Sequence, residues 1–292
     1  MLVYLAGGVT GNLIKEWQNY MKVYLCSLGN EIKENRRMSQ YFDKDMKVFL
    51  AGNDGYRKQR FSIFLNQLYI LESYYYVVKQ DWMFPLFNQF SGFLLDSGAF
   101  TFMTSLKNKS VNWDEYVIGY GNFVKQHDIK YFFELDIDTV VGLKEVERLR
   151  DLLEKIAGRK CIPVWHKSRG LEYWRWMCKN YNYIAIGGIV TQEIKRTQYR
   201  VFDNLLKIAK ESRCKVHGLG FTNLEGMKKY KFYSVDSTAW LSGNKFGAVY
   251  WFDGKSMKKQ IKQSGKRIKS GDVAIHNFSE WVKFSNYAEK YL

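Results

Sequence analysis

Proline is nearly missing from this 292-residue sequence, occurring only as Pro85 and Pro163. No Pro-rich linker divides the chain, so one domain over 1–292 is expected. Cysteine is sparse too: Cys26, Cys161, Cys178 and Cys214. None stands at CxxC spacing, which excludes a disulfide-stapled scaffold and a zinc signature and points to reduced thiols in a cytoplasm. No run of roughly 18 apolar residues occurs, so no membrane span is expected. Met1–Gly8 lacks a basic stretch followed by a long apolar one and is not read as a secretion signal.

Acidic residues are outnumbered, 29 Asp+Glu against 45 Lys+Arg, giving a net charge of +16. That balance suggests an anionic partner: nucleic acid, a phosphorylated ligand or an anionic surface. The aromatic content of 17% favours nucleic acid, because rings stack on bases. A Lys-rich solvated surface is the plain alternative. Disorder is excluded by a hydrophobic fraction of 46%, enough apolar surface to offset chain entropy.

The apolar residues form short runs without strict alternation: Tyr74–Val78, Phe93–Leu95, Tyr131–Leu135, Ile162–Trp165, Tyr183–Ile186, Lys215–Leu219, Phe232–Val235 and Ala248–Phe252. Helical spacing lies between many of them, over Asn112–Lys125, Leu143–Ile156, Arg169–Asn180 and Tyr199–Ser212. Such strands separated by helices predict a parallel sheet covered on both faces. Their number fits a (β/α)8 barrel better than an open doubly wound sheet. Two early runs, Met1–Gly7 and Met46–Gly52, resemble each other, but two copies do not make a repeat. The GGVTG at 7–11 lacks the spacing and the acid of a dinucleotide loop.

Polar residues follow the expected strands consistently. Asp96 and Ser97 follow Leu95, Asp136 and Asp138 follow Leu135, and His166 follows Trp165. Gly187 and Gly188 follow Ile186, His217 follows Val216, and Asp236 follows Val235. In a barrel these ends share one face, where active sites lie. Each residue alone has a plainer reading: Asp96 as a helix cap, Asp138 as a cap or solvated acid, each His as structural. Clustered carboxylates suit a divalent cation, or two acids dividing labour at an anomeric carbon, one attacking and one moving the leaving-group proton.

These segments resemble the guanine transglycosylase family, which exchanges guanine for a 7-deazaguanine base in nucleic acid. Asp96-Ser97-Gly98-Ala99-Phe100 is similar to its DSGG-aromatic motif, and Leu135–Thr139 to its LDIPT-type segment. Ala185–Ile189 is similar to its AVGGL loop, His217–Gly220 to its Gly-x-Gly turn, and Val235–Trp240 to its nucleophile segment. The segments come in the family's order across about 93–240. The resemblance implies a barrel with Asp236 as nucleophile on C1′ and Asp96 as general acid/base. It implies that Asp136 accepts hydrogen bonds from the guanine-like edge, that Phe100 stacks on the base and that Gly187 and Gly188 offer backbone groups. Ser97, Asp138 and His217 would complete the substrate site. His166 stands where many members carry Gln.

The family's tRNA-acting members carry a Cys-rich zinc site after the nucleophile, whereas no cysteine follows Asp236 here. The comparison therefore moves to compact, zinc-free DNA-acting relatives, including phage-encoded ones, and no metal or other cofactor is expected. Residues 255–269 carry Lys255, Lys258, Lys259, Lys262, Lys266, Arg267 and Lys269 without an acid. Their spacing predicts a basic helix, part of a helical extension over 255–292, that holds phosphates without reading sequence. Trp281, Phe284 and Tyr287 are expected to pack a final helix on the core. The expected function is exchange of guanine in DNA for a 7-deazaguanine. Alternatives are the same exchange on tRNA, a non-catalytic nucleic-acid-binding barrel, and a metal-dependent nucleoside- or phosphosugar-processing barrel. Residues 1–90 receive no chemical assignment.

Overall fold

The computed structural model describes residues 22–26, 69–90, 92–98, 101, 111–237, 247–261 and 270–292. The Met1–Gly7 and Met46–Gly52 runs, the 7–11 loop, Phe100, Lys262, Lys266, Arg267 and Lys269 lie outside the described residues.

In chain order the strands are β1 (Lys22–Cys26), β2 (Tyr69–Ser73), β3 (Gly92–Asp96), β4 (Tyr131–Phe132), β5 (Val164–Trp165), β6 (Tyr183–Ile186), β7 (Lys215–Gly218), β8 (Ser234–Ser237), β9 (Ala248–Phe252) and β10 (Met257–Ile261). The helices are α1 (Tyr74–Val77), α2 (Trp113–Gln126), α3 (Asp138–Val141), α4 (Leu143–Ala157), α5 (Gly170–Asn180), α6 (Val201–Glu211), α7 (Leu224–Lys229) and α8 (Ser270–Tyr291), with short 3₁₀ turns between. Residue contacts divide the chain into two compact units. One comprises 71–88 and 93–219, the other the described parts of 1–70, 89–92 and 220–292.

The first unit alternates strands and helices. Its strands pair in parallel, with Leu94 opposite Tyr131, Val164 opposite Ala185 and Ile184 opposite Val216. A bridge from Phe133 to Ile162 extends the pairing between β4 and β5. Every residue of β6 is buried, as in a sheet covered on both faces. The α2 helix begins where Asn112 Oδ1 accepts from Glu115 N at 3.2 Å, a side-chain cap. Its buried Tyr120 hydroxyl lies 3.0 Å from the carbonyl oxygens of both Leu95 and Phe133, tying the helix to the ends of β3 and β4. Val146, Leu149, Leu153 and Ala157 bury one face of α4, and Gly158 ends it at φ +71°.

The expected helices match α2, α4, α5 and α6 to within two residues. One early strand is misplaced. Tyr74–Val77 is a helical turn and the strand is Tyr69–Ser73, one run earlier. The aromatic, β-prone Tyr74–Tyr76 favours extended backbone in isolation, but the Tyr74 ring packs on Tyr120 at 5.0 Å and Phe123 at 5.3 Å.

In the second unit β1 pairs with β8 in parallel, Tyr24 opposite Asp236. Ala248–Phe252 and Met257–Ile261 form an antiparallel hairpin. The expected helix through Lys255–Lys266 is therefore corrected: Met257–Ile261 is a strand. Turn chemistry overrides the cation spacing. Asp253 Oδ1 accepts from the N–H groups of Lys255 (2.9 Å) and Ser256 (2.7 Å), and Gly254 takes φ +90°.

The unpaired edge of β9 is sealed by side chains of α8. Asn277 accepts from Tyr250 N at 2.8 Å and donates to Ala248 O at 2.9 Å, while Glu280 accepts from Phe252 N at 2.7 Å. Trp281 and Phe284 are buried as expected, and Tyr287 packs on Phe252 at 5.3 Å. Among the described residues, no helix is long and apolar enough to cross a membrane.

Candidate functional site

The segment leaving β4 presents acids at alternate positions: Glu134, Asp136 and Asp138. Glu134 is fully buried. Its Oε1 accepts from Arg169 Nη1 (2.7 Å) and Val164 N (2.8 Å), and its Oε2 from Arg150 Nη1 (3.1 Å). Arg169 Nε also donates to Asp138 Oδ2 at 3.0 Å. The two guanidinium groups lie over aromatic faces, Arg169 over Tyr173 at 5.6 Å and Arg150 over Trp176 at 5.2 Å. Buried charges persist in this way only when paired.

His166 directly follows β5 and is clasped by two carboxylates. Its Nε2 lies 2.5 Å from Asp136 Oδ1 and its Nδ1 2.8 Å from Glu193 Oε2. Burial pulls the imidazole pKa down, but Asp136 and Glu193, with Asp138 adding to the rise, push it up to about 9. At neutral pH the ring is a cation with both nitrogens donating. Glu193 Oε1 also accepts from Ser168 N at 3.2 Å. The Asp136 side chain is 29% exposed, and among the described residues its Oδ2 takes no hydrogen bond.

Gly187 and Gly188 form the floor of this cluster. A Cβ on Gly187 would stand 2.7 Å from His166 Nε2. One on Gly188, at φ +75°, would stand 2.6 Å from Glu193 Oε2. The pair is glycine because the imidazole and the carboxylate pack directly on its backbone.

Asp96 closes β3, and its Oδ2 accepts from Gly98 N at 2.9 Å. Gly98 sits at φ +81° with Tyr75 Cβ only 2.7 Å from where its own Cβ would be. Tyr116, pushed well above the ordinary phenol range by burial and by Asp96, donates to Ser97 O at 2.5 Å. Ser97 itself is buried. In the other unit, Asp236 lies in β8, 9% exposed, and its Oδ1 accepts from Gly220 N at 2.6 Å.

His217 is near the C-terminal end of its strand, as expected. It is the third of the four residues of β7, opposite Ala185 and fully buried, with its ring 5.4 Å from Phe133. Lys255, Lys258 and Lys259 are exposed on the β9–β10 hairpin. Lys258 reaches Asp253 at 3.4 Å, and Lys259 lies over the Tyr250 ring at 5.8 Å.

Sequence reasoning passed over Glu134, Arg150, Arg169 and Glu193. Only the acid inside the apolar run Phe132-Phe133-Glu134-Leu135 was a visible signal, since a charge there demands a partner. Asp136, Asp138 and His166 offer ligand atoms within 4.8 Å of one another, the spacing a cation needs. A cation there would have to displace the proton joining His166 to Asp136.

No known family's model matches the chain, and no curated protein matches it. Among solved structures it is similar to the carboxyl transferase domain of Rhizobium etli pyruvate carboxylase with 3-hydroxypyruvate. Identity is 13% and the TM-score 0.41, covering 94% of this chain and 49% of that one. The chain thus spans about half the length of that structure. The fold and site together define an α/β protein with parallel strands whose following segments carry acids and a charged imidazole.

Proposed function

We propose that the chain exchanges guanine in DNA for a 7-deazaguanine base through a covalent aspartyl–sugar intermediate. The (β/α)8 barrel implied by the transglycosylase resemblance belongs to this proposal. The observation that carries it is the state of Asp96 and Asp236. Each belongs to a parallel strand near its C-terminal end, with one carboxylate oxygen fixed by a glycine N–H.

In this reading Asp236 attacks C1′ of the deoxyribose and the C1′–N9 bond breaks. Asp96 gives its proton to the departing guanine. The carboxylate of Asp96 then takes a proton from the incoming base. That base attacks C1′ and releases Asp236, so two inversions leave the anomeric configuration retained. Asp136 Oδ2 is the acceptor for the N–H edge of the base. The exposed Lys255, Lys258 and Lys259 supply sequence-independent phosphate contacts. DNA within a duplex must present its target base unstacked.

The test is incorporation of labelled guanine into duplex DNA and into tRNA. Wild-type protein is expected to label DNA, and Asp236→Asn is expected to label neither. Labelling of tRNA alone would move the substrate to RNA. Exchange abolished by a chelator would favour a cation at Asp136, Asp138 and His166 instead.

A further inference from the structure

We propose that the β9–β10 hairpin binds an unpaired stretch of nucleic acid, with Trp251 stacking on a base and the lysines beside it meeting the phosphates. The substrate class is the one proposed above, and the assignment rests on that reading to this extent. The binding itself needs no base exchange.

The two faces of the hairpin differ. Successive residues of a strand alternate between faces, and directly opposed residues share one. Tyr250 and Phe252 face α8, their rings 5.9 Å from Trp281 and 5.8 Å from Phe284. Trp251 stands between them in sequence and therefore takes the other face. Lys258 is its cross-strand partner there, and Gln260 lies beside it, opposite Val249. Trp251 is 40% exposed, and Lys258 and Gln260 are exposed as well.

An exposed Trp by itself is ordinary. Trp176 is as exposed, but its ring is occupied: the Tyr173 ring lies 5.2 Å away and the Arg150 guanidinium 5.2 Å away. Among the described residues no ring or cation lies against Trp251. Lysines on an open strand edge also discourage pairing with another chain, yet that role gives no reason for the indole.

Charge selects the occupant. Asp253 is the sole acid in 247–261, and its carboxylate is already engaged by the turn N–H groups and by Lys258. No further acid follows through 269. An anion that carries a flat π face beside each charge fits this surface: phosphates meet the lysines and a base meets the indole. A base within a duplex is stacked on both faces, so the strand must be unpaired where it meets Trp251. A lipid surface would be met by an apolar tip that inserts, whereas the tip here is Asp253-Gly254-Lys255-Ser256.

The test is binding of the full chain to a labelled oligothymidylate, an abasic strand of the same length and a duplex. The abasic strand keeps the phosphates and lacks the bases. Trp251→Ala is expected to bind the oligothymidylate about tenfold more weakly than the wild type, the loss of one base–aromatic stack. It is expected to bind the abasic strand and the duplex as the wild type does, with the same salt slope, because no phosphate contact is removed. Unchanged abasic binding also reports an intact hairpin. Trp251→Phe should recover part of the loss, since its ring still stacks. Equal losses on all three probes, or no loss on any, would overturn the assignment. So would Trp251-dependent binding to vesicles of phosphatidylcholine and phosphatidylserine in place of the strand.

The indole also reports directly. Oligothymidylate is expected to quench the fluorescence of the wild type more than that of Trp251→Phe, and equal quenching would contradict the stack. Stacking in a protein that exchanges no base would leave the hairpin assignment standing and sink the transglycosylase reading. Base exchange by a protein whose hairpin fails these tests would do the reverse.

Discussion

Glu134 and Asp136 stand two residues apart on the segment leaving β4, and they meet opposite fates. Glu134 is fully buried, with both oxygens occupied by arginines and a backbone N–H. Asp136 keeps one oxygen unused among the described residues and is partly exposed, its partner a histidine that another carboxylate holds charged. A satisfied buried charge fastens β4, β5, α4 and the Arg169 turn together. An incompletely satisfied one is available to a ligand. Proximity in sequence says nothing about which role an acid takes; the number of donors converging on it does.

The sharpest way to break that contrast is truncation of each acid. Glu134→Ala leaves the buried Arg150 without its close carboxylate and Arg169 with Asp138 alone, and is expected to cost about 3–5 kcal/mol in urea denaturation. Asp136→Asn is expected to cost about 1–2 kcal/mol, because solvent reaches it, while abolishing guanine binding. Equal losses of stability would erase the distinction.

The next effect is in pH. The folded pKa of His166 is raised above the unfolded value of about 6.5 to about 9. In that window the unfolded chain has released a proton that the folded chain retains. The stabilisation is thus complete below pH 6.5 and is lost as pH rises through 9, up to about 3 kcal/mol in all. Denaturation midpoints between pH 6 and 9.5 are expected to fall for the wild type and to stay nearly flat for His166→Gln.

A smaller effect tests the glycine floor. Gly188→Ala places a methyl against Glu193 at a positive φ and is expected to cost about 1–2 kcal/mol. The His166 midpoint should drop with it, which a calorimetric scan paired with an NMR titration would reveal. The smallest effects belong to the hairpin. Replacing Lys255, Lys258 or Lys259 by Ala should weaken DNA binding only a few-fold each, and each is expected to reduce the salt slope by about one. Lys258 should matter least, because Asp253 already engages it.

Much of this was legible in the sequence, for physical reasons that differ by element. The α4 helix repeats Val146, Leu149 and Leu153 on one face, and burial follows that spacing directly. The β6 strand is a short apolar run closed by glycines, which leaves little choice. Tyr74–Val77 misled because aromatic β-propensity is local, whereas packing on α2 is not. Lys255–Lys266 misled because cations at helical steps resemble a helix face even when an Asp-Gly turn precedes them. Asp136 and His166 were legible as residues following strands, but their bond joins positions thirty apart, and Glu193 lies a further twenty-seven along the chain. Sequence spacing carries no information about such convergence.

The proposed covalent catalysis by Asp236 is tested most directly by trapping its intermediate. The protein is incubated with duplex DNA and a 7-deazaguanine base, denatured, and resolved for a protein–DNA adduct that is then mapped by peptide mass spectrometry. An adduct that survives denaturation, maps to Asp236 and disappears in Asp236→Asn is expected. Base exchange without any adduct, or an adduct on another residue, would contradict it.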